Sequence, residues 1–384
     1  MTDISPFVIS ISDEQITDLK NRIANTRWPD AETTSGWNQG VPLAYVKELV
    51  QYWGEQYDQQ RLANRLNAFD NFKTNLLGLN IHYMHINSSN PNARPLLLTH
   101  GWPGSVVEFL KVIGPLTEPQ EHGGTADDAF HLVIPSLPGY GFSDKPQATG
   151  WGVEKIADAW STLMARLGYS QYFAQGGDWG SVITSYIARQ DPEHCLGIHI
   201  NMGIVAPDPN AENLTANELS IMAGWKYYQD WDSGYSKQQA TRPQTLGYGL
   251  VDSPSGQAAW IVEKFYQWMD CGGHPENIVS RDELLDNIMV YWLTGSGASS
   301  ARLYWESFGG GEGREQPVSI PMGATISAKD IFRTSERFAS RVFTNIVYWK
   351  DKEEGGHFAA FEQPNAFVSE LRECFGVMPQ PDPG

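Results

Sequence analysis

The amino-acid sequence predicts an α/β protein with a mostly parallel, doubly wound sheet. Between about residues 77 and 205, short and continuously apolar runs alternate with amphipathic helical patterns, as in a parallel sheet covered by helices on both faces. Helical patterns rich in Trp and Tyr replace this rhythm between about 210 and 308. We therefore divide the chain into an N-terminal helical wrap (1–75), a first core segment (76–209), a helical cap (210–308) and a second core segment (309–384).

The wrap is predicted from helical spacing. Residues 12–15 (Ser-Asp-Glu-Gln) match a capping box, and Ile16, Leu19 and Ile23 follow at helical intervals. A second helix is predicted at 43–52. The remainder of the wrap is interpreted as irregular connections.

The two core segments are predicted to hold seven strands. In chain order these are 77–86, 95–99, 131–135, 172–175, 197–200, 318–327 and 342–349. Core helices are predicted at 153–167, 181–189 and 365–374. The glycines at 309–313 predict a flexible connection between the cap and the second core segment.

Composition excludes several classes of protein. The 384 residues include 27 Lys and Arg against 45 Asp and Glu, which gives a net charge of −18 and argues against a basic surface for nucleic acid. Hydrophobic residues make up 41% of the chain, so disorder is not its main state. Aromatic residues make up 12%, enough to line an apolar ligand pocket as well as to fill a core.

Cysteine usage and hydropathy bear on location. Cys195, Cys271 and Cys374 are odd in number and far apart, which fits a reducing compartment better than a disulfide scaffold. The first residues lack the basic and apolar segments of a secretory signal, and no run approaches the ~18 apolar residues of a membrane span. We therefore expect a cytoplasmic protein with no membrane partner.

The sharpest chemical motif is Gly-Gly-Asp-Trp-Gly at 176–180, between a predicted strand and a predicted helix. It matches the Gly-x-nucleophile-x-Gly pattern of a tight strand-to-helix turn, whose glycines let the central side chain project above the sheet edge. Here the central residue is Asp178. A carboxylate that attacks an sp3 carbon forms an ester, which water can then cleave. Asp178 is thus a candidate nucleophile, although this motif alone leaves a plain helix N-cap as an equal alternative.

A second motif, Thr-His-Gly-Trp-Pro-Gly at 99–104, directly follows a predicted strand. Open α/β sheets bind ligands at the carboxyl ends of their strands. The backbone amides of Trp102 and Trp179 are therefore candidates for an oxyanion hole that acts during ester hydrolysis.

A third motif, Gly-Gly-His-Phe-Ala-Ala-Phe-Glu at 355–362, follows the last predicted strand. An imidazole pKa near ~6.5 leaves the ring of His357 largely neutral at pH 7, so this side chain is a candidate base for activating water. Its place also fits the chain order of nucleophile, acid and histidine that such a turn requires.

The orienting acid is expected after the strand at 318–327, and Asp330 occupies that place. Its rivals lie only a few residues before the histidine and are expected to face solvent; they are Asp351, Glu353 and Glu354. Position in the chain therefore favours Asp330.

No cofactor motif accompanies these residues, because the sequence has no P-loop, no Gly-x-Gly-x-x-Gly and no Cys-x-x-Cys. His82 and His85 are three residues apart, which places them on opposite faces of a strand rather than together at a metal. We expect neither a cofactor nor a metal.

The chain resembles the epoxide hydrolases of the α/β-hydrolase superfamily, specifically the microsomal-type branch. Six blocks in order carry the resemblance, which extends over nearly the whole chain: residues 26–29 (Thr-Arg-Trp-Pro), 52–53 (Tyr-Trp), 98–105 (Leu-Thr-His-Gly-Trp-Pro-Gly-Ser), 135–143 (Pro-Ser-Leu-Pro-Gly-Tyr-Gly-Phe-Ser), 176–180 and 355–362. The resemblance implies an α/β-hydrolase fold, with Asp178 as nucleophile, His357 as base and Asp330 as charge-relay acid. Members often carry Glu at the last position, so Asp330 is a small departure. Membrane-bound members also carry an N-terminal anchor, and this chain is expected to be soluble.

The resemblance further implies two cap tyrosines that hold and protonate the epoxide oxygen. They match Tyr235, in Asp-Ser-Gly-Tyr, and Tyr304, in Arg-Leu-Tyr-Trp-Glu. A phenol can donate to the alkoxide that develops as the ring opens. Three other cap tyrosines compete for these roles: Tyr228, Tyr248 and Tyr291.

The favoured function is therefore cofactor-free hydrolysis of a small apolar epoxide to a vicinal diol through an aspartyl ester. One alternative is a haloalkane dehalogenase, which also begins at an Asp followed by Trp but needs halide-stabilising donors in its cap. Another is a non-catalytic binding protein of the same fold, which would be expected to lack a catalytic position. A homodimer is compatible with the sequence, whereas the natural epoxide and the preferred enantiomer depend on the shape of the pocket.

Overall fold

The computed structural model describes residues 4–308 and 316–381. Within these ranges nine strands form one sheet with the order β1-β2-β3-β5-β4-β6-β7-β8-β9. The strands are β1 (Ile4–Pro6), β2 (Asn71–Leu76), β3 (Leu79–Ile86), β4 (Arg94–Thr99), β5 (Phe130–Pro135), β6 (Tyr172–Gly176), β7 (Cys195–Ile200), β8 (Met322–Ile326) and β9 (Ile346–Asp351). From β5 through β4 to β9 every neighbouring pair is parallel, which confirms the mostly parallel α/β sheet.

Fifteen α-helices accompany the sheet in the described part of the chain. They are α1 (Asp13–Ala24), α2 (Leu43–Glu55), α3 (Arg61–Leu66), α4 (Ile113–Thr117), α5 (Val153–Arg166), α6 (Trp179–Gln190), α7 (Ala216–Tyr227), α8 (Gly234–Thr241), α9 (Pro243–Asp252), α10 (Pro254–Trp268), α11 (Arg281–Thr294), α12 (Gly297–Phe308), α13 (Glu336–Ala339), α14 (Ala359–Glu362) and α15 (Pro364–Gly376). Helices α7 to α12 follow β7 and precede β8, in the stretch predicted as the cap. The glycine-rich connection predicted at 309–313 lies outside the described residues.

The two central strands bring the first two sequence motifs together. Strands β4 and β6 are parallel neighbours, and Thr99 at the end of β4 pairs with Gly176 at the end of β6. Both strands are buried along their whole length, as their continuously apolar sequences predict. The turns that follow them therefore begin side by side at the carboxyl edge of the sheet, where α/β proteins place their ligand sites.

The interpretation of the wrap as helices and irregular connections is wrong in one respect, because β1 and β2 join the antiparallel side of the sheet. Strand β2 crosses the boundary drawn at residue 75 and pairs with β3 as a hairpin. The strand predicted from residue 77 begins at Leu79 instead, since Leu77 (φ 49°) and Gly78 (φ 90°) form the two-residue turn. Positive φ at both turn residues matches the twist of the flanking strands.

The strands of the second core segment are also displaced from their predicted bounds. Strand β8 begins at Met322 rather than at 318, because Pro321 has no N–H to extend the ladder. Val318 makes only an isolated bridge to Phe343. The strand predicted at 342–349 begins instead at Ile346.

The wrap packs against the cap through three tyrosines. Helix α2 carries Tyr45 and Tyr52, whose hydroxyls donate to Glu276 (2.9 Å) and Asp282 (2.8 Å), both in the cap. Tyr57 donates to the fully buried Asp286 at 2.7 Å. The wrap thus contributes strands to the sheet and also holds the cap over the sheet edge.

Candidate active site

Asp178 occupies a strained turn between β6 and α6. Its backbone has φ 52° and ψ −127°, which is unfavourable for any residue with a side chain and costs about 1–3 kcal/mol. The turn depends on glycine, because a Cβ on Gly180 would lie 2.0 Å from the carbonyl oxygen of Thr99. In the described part of the chain the Asp178 side chain makes no capping hydrogen bond to α6, although the residue stands at the N-cap position. Geometry therefore does not support the plain N-cap interpretation, and the carboxylate projects toward the sheet edge.

The turn after β4 faces this carboxylate. The Trp102 amide donates to Asp178 Oδ1 at 2.8 Å, and a Cβ on Gly101 would lie 2.1 Å from the same oxygen. Trp179 is the first residue of α6, so its amide is one of the N–H groups that point out of the helix N-terminus. Both amides predicted as an oxyanion hole thus lie next to Asp178, and the positive end of the helix dipole adds to their field.

His357 lies between two carboxylates. Its Nδ1 is 2.8 Å from Asp330 Oδ1, and its Nε2 is 3.3 Å from Asp178 Oδ2. The side chains of His357 and Asp330 are each only 1% exposed. Asp330 follows β8 by four positions and reaches the ring from the neighbouring strand, whereas its rivals Asp351, Glu353 and Glu354 are exposed.

Electrostatics favour a protonated His357 in the free protein. Burial alone would lower the pKa of the imidazole, but the charge of Asp330 and the hydrogen bonds to Asp178 and Asp330 outweigh burial and raise the pKa well above its usual range. The ring is then an imidazolium that donates to both carboxylates. Removal of the charge on Asp178 would remove part of this stabilisation and turn the ring into a base.

Two phenols from the cap close the site. Tyr235 on α8 and Tyr304 on α12 are 5% and 2% exposed, and their ring centroids lie 5.9 Å apart. The Trp102 ring stacks on Tyr235 at 5.1 Å and meets Tyr304 edge-on at 6.0 Å. The structure therefore brings both tyrosines to the turn that contacts Asp178.

Both phenols retain their protons at neutral pH. Burial is the main cause that raises the pKa of Tyr235 and of Tyr304 well above 10, and the negative charge of Asp178 adds to it. Each side chain is therefore able to donate its O–H to a substrate oxygen within hydrogen-bonding distance.

The three competing tyrosines are placed differently. The hydroxyl of Tyr228 lies 3.2 Å from that of Tyr235, and the Tyr291 hydroxyl donates to the carbonyl oxygen of Gly104 at 2.7 Å. Tyr248 is 70% exposed. Tyr228 thus contacts the hydroxyl of Tyr235, Tyr291 joins the cap to the turn after β4, and Tyr248 lies on the surface.

Sequence reasoning assigned no role to Trp268, which lines the site from the end of α10. Its ring lies 5.1 Å from both His357 and Tyr235, and its carbonyl oxygen accepts from the His357 amide at 2.9 Å. The indole N–H donates to Asp232 at 2.8 Å. Nothing in the local sequence separates Trp268 from the other cap tryptophans, because its position depends on the packing of the cap.

Glu108 is a second residue without an assigned role. Burial raises the pKa of its carboxyl group to about 8, with the nearby charges of His357 and Asp178 acting in opposite directions. A Cβ on Gly104 would overlap the Glu108 carboxyl group, so this acid packs directly beneath the oxyanion turn. The histidines predicted to lie on opposite faces of a strand have separate partners away from this site: His82 contacts Ser136 and Asn71, and His85 contacts Tyr169.

The sheet order and the placement of an acid, a histidine and a second acid at strand ends define this chain as an α/β-hydrolase with an aspartate at the strand-to-helix turn. Comparisons with known proteins agree. Residues 4–109 match the family described as "Epoxide hydrolase N terminus", and residues 94–244 match the "alpha/beta hydrolase fold".

Relatives extend the match over the whole chain. A protein of Stigmatella aurantiaca that carries a provisional epoxide hydrolase name is 50% identical over 97% of this chain and 84% of its own length. Epoxide hydrolase 1 of Sus scrofa is 34% identical over 98% of this chain and 89% of its own. The chain belongs to the epoxide hydrolase family.

Solved structures show the same architecture. The juvenile hormone epoxide hydrolase of Bombyx mori is 33% identical and superimposes with a TM-score of 0.90 over 98% of this chain and 95% of that one. The epoxide hydrolase of Aspergillus niger is 30% identical with a TM-score of 0.88, over 97% and 96% of the two chains. Among the residues that the structure describes, no helix has the length and apolar character needed to cross a membrane.

Proposed function

We propose that this protein hydrolyses an apolar epoxide to a vicinal diol through a covalent ester on Asp178. The observation that carries the proposal is the bridging position of this carboxylate, which is 2.8 Å from the Trp102 amide and 3.3 Å from His357 Nε2. Two protonated phenols cover the same turn. Family membership supports the reaction, and the placement of the side chains supports the roles.

In the first step Asp178 attacks a ring carbon and the C–O bond of the epoxide breaks. Tyr235 and Tyr304 donate hydrogen bonds to the oxygen as it gains negative charge. A phenol protonates this oxygen and recovers its proton from the imidazolium of His357. The products are a hydroxyalkyl ester and a neutral histidine, so charge and protons balance.

In the second step the neutral His357 removes a proton from water, and the resulting hydroxide attacks the ester carbonyl of Asp178. The Trp102 and Trp179 amides stabilise the tetrahedral oxyanion. Collapse of this intermediate breaks the ester C–O bond. The departing diol oxygen takes the proton of the new Asp178 carboxyl group, which leaves the carboxylate. Asp330 holds the ring orientation and stabilises the imidazolium that this step regenerates.

The decisive experiment is incubation with a racemic aryl epoxide and, separately, with a haloalkane. We expect diol from the first substrate and no halide from the second, because paired phenols are suited to a developing alkoxide. Asp178→Ala should abolish diol formation while circular dichroism and melting temperature stay close to those of the wild type. Halide release without diol would instead establish the dehalogenase alternative.

We further propose that the protein is cytoplasmic and forms a homodimer. Three buried free cysteines support a reducing compartment. Sedimentation equilibrium tests the second part, since a monomer at all concentrations would contradict it. The net charge of −18 is expected to serve solubility, because an uncharged epoxide gains nothing from electrostatic steering.

A further inference from the structure

The Glu362 side chain accepts hydrogen bonds from three backbone N–H groups in or next to the segment 355–358, here called the histidine loop. Its Oε2 accepts from Asp270 (2.9 Å) and Gly356 (3.1 Å), and its Oε1 accepts from Phe358 (2.8 Å). Gly356 and Phe358 are the two neighbours of His357 in the chain. The backbone on both sides of the histidine is therefore bound to one carboxylate.

The third donor connects this carboxylate to the cap. Asp270 lies two residues beyond α10, and its own side chain accepts from the Gly355 amide at 3.1 Å. The His357 amide donates to the Trp268 carbonyl oxygen at 2.9 Å, close to the same point. A Cβ on Gly356 would lie 2.3 Å from that oxygen, so the two segments approach too closely for any other residue there. Cap and histidine loop thus form one hydrogen-bonded seam.

Burial raises the pKa of Glu362 to about 7, and the backbone N–H donors around its side chain oppose burial by favouring the ionised carboxylate. All three partners of Glu362 are N–H donors, and an amide side chain would present its NH2 group to at least one of them. Hydrogen bonds to an ionised acceptor are also about twice as strong as neutral ones. Glutamine has nearly the same shape but cannot accept all three bonds.

We infer that Glu362 is a positioning residue that fixes His357 for water activation and joins it to the cap. The inference rests on the proposed function, with His357 as the base of ester hydrolysis. Glu362 does not contact the reacting atoms; it acts through the backbone of the histidine. A displacement of the ring by about 1 Å is sufficient to slow such a step by about 100-fold.

Kinetics separate this role from a general loss of structure. In a two-step reaction kcat/KM reports events up to ring opening, whereas kcat reports ester hydrolysis when that step is slow. We expect Glu362→Gln to lower kcat by about 10- to 100-fold with a parallel fall in KM, so that kcat/KM changes little. The alkylated enzyme should accumulate during turnover, as a mass increase equal to that of the substrate.

Glu370→Gln is the matched control. This buried glutamate lies on the next helix, α15, and its partner is the Lys352 side chain at 3.1 Å rather than a backbone N–H next to His357. The control should keep kcat and KM. Equal losses of kcat and kcat/KM in Glu362→Gln, or no loss, would overturn the inference.

Two further variants make the outcome unambiguous. Glu362→Asp keeps the charge with one carbon less reach, and should recover part of the kcat that Glu362→Gln loses; if Glu362→Gln does not fold, the same kinetic split is measured on Glu362→Asp. His357→Gln in the same assay tests the base itself. If His357→Gln accumulates the ester and the Glu362 variants do not, only the role of Glu362 is wrong; if His357→Gln does not accumulate it, the proposed function fails.

Discussion

His357 Nε2 lies 3.3 Å from Asp178 Oδ2, while the other oxygen of the same carboxylate accepts the Trp102 amide at 2.8 Å. The group proposed to become an ester is thus also the group that helps to keep the histidine protonated. Formation of the ester removes this charge, and the pKa of His357 then falls toward the range of a useful base. The first step of the reaction prepares the second.

His357→Gln should still permit one ring opening, because a phenol supplies the proton to the epoxide oxygen, and it should block ester hydrolysis. Glutamine cannot remove a proton from water, so the hydroxyalkyl ester on Asp178 should persist. Intact-protein mass spectrometry after mixing with epoxide should show an increase equal to one substrate. Normal steady-state turnover by this variant would show that another group is the base.

Asp330→Asn should lower kcat by roughly 10²- to 10⁴-fold. The substitution removes the charge that stabilises the imidazolium, and it places an NH2 group where Nδ1–H now donates at 2.8 Å. Asp351→Asn is the control, because Asp351 is an exposed acid near the same strand ends. Steady-state assays of both variants should show a loss only in the first; an equal loss in both would remove the assignment of Asp330.

Tyr235→Phe and Tyr304→Phe should each slow ring opening, by about 10²-fold if one donor to the oxygen is lost. The double variant should nearly stop diol formation, because no phenol then remains to protonate the alkoxide. Stopped-flow measurement of the alkylation step, by quenching of the neighbouring Trp fluorescence, gives the rate directly. Tyr248→Phe alters a tyrosine that is 70% exposed and should match the wild type.

The elements that position the site could be read from the sequence because they are locally encoded. Apolar runs predict β4 and β6, and glycines next to Asp178 predict the tight turn that the close approach of Gly180 to Thr99 requires. The sequence does not predict strand β2, because four of the six residues in Asn-Phe-Lys-Thr-Asn-Leu are polar, as suits a strand near the antiparallel edge.

The remaining site residues depend on tertiary contacts that no local pattern encodes. Trp268 contacts His357 only because α10 ends next to it. Glu362 belongs to the third motif, but the motif does not show which N–H groups its carboxylate accepts. Family resemblance rather than spacing predicts the two phenols, since the predicted cap contains seven tyrosines and spacing alone does not select two of them. Their different environments appear only once the cap is folded over the sheet.

The stability of the wild type should fall as the pH rises above neutrality, in part through His357. The pKa of this group is raised in the folded protein above its unfolded value near ~6.5. Its contribution is therefore fully present below about pH 6.5 and is lost as the pH rises through the raised folded pKa. Melting temperatures measured from pH 6 to 9 should decline less for His357→Gln than for the wild type; parallel curves would contradict the raised pKa.

Asp286→Ala should destabilise the fold more than it affects the chemistry. This fully buried carboxylate on α11 of the cap accepts Tyr57 at 2.7 Å, Arg61 at 3.1 Å and Arg65 at 2.5 Å, all from the wrap. Its removal leaves two partly buried guanidinium groups without their common partner, which costs about 3–5 kcal/mol. Urea unfolding should show this loss, while kcat of the protein that remains folded stays near that of the wild type.

The control is Asp252→Ala at an exposed site, which removes the ion pair with Arg22 at 2.7 Å and should cost less than about 1 kcal/mol. Similar losses in the two variants would mean that the wrap does not hold the cap through Asp286.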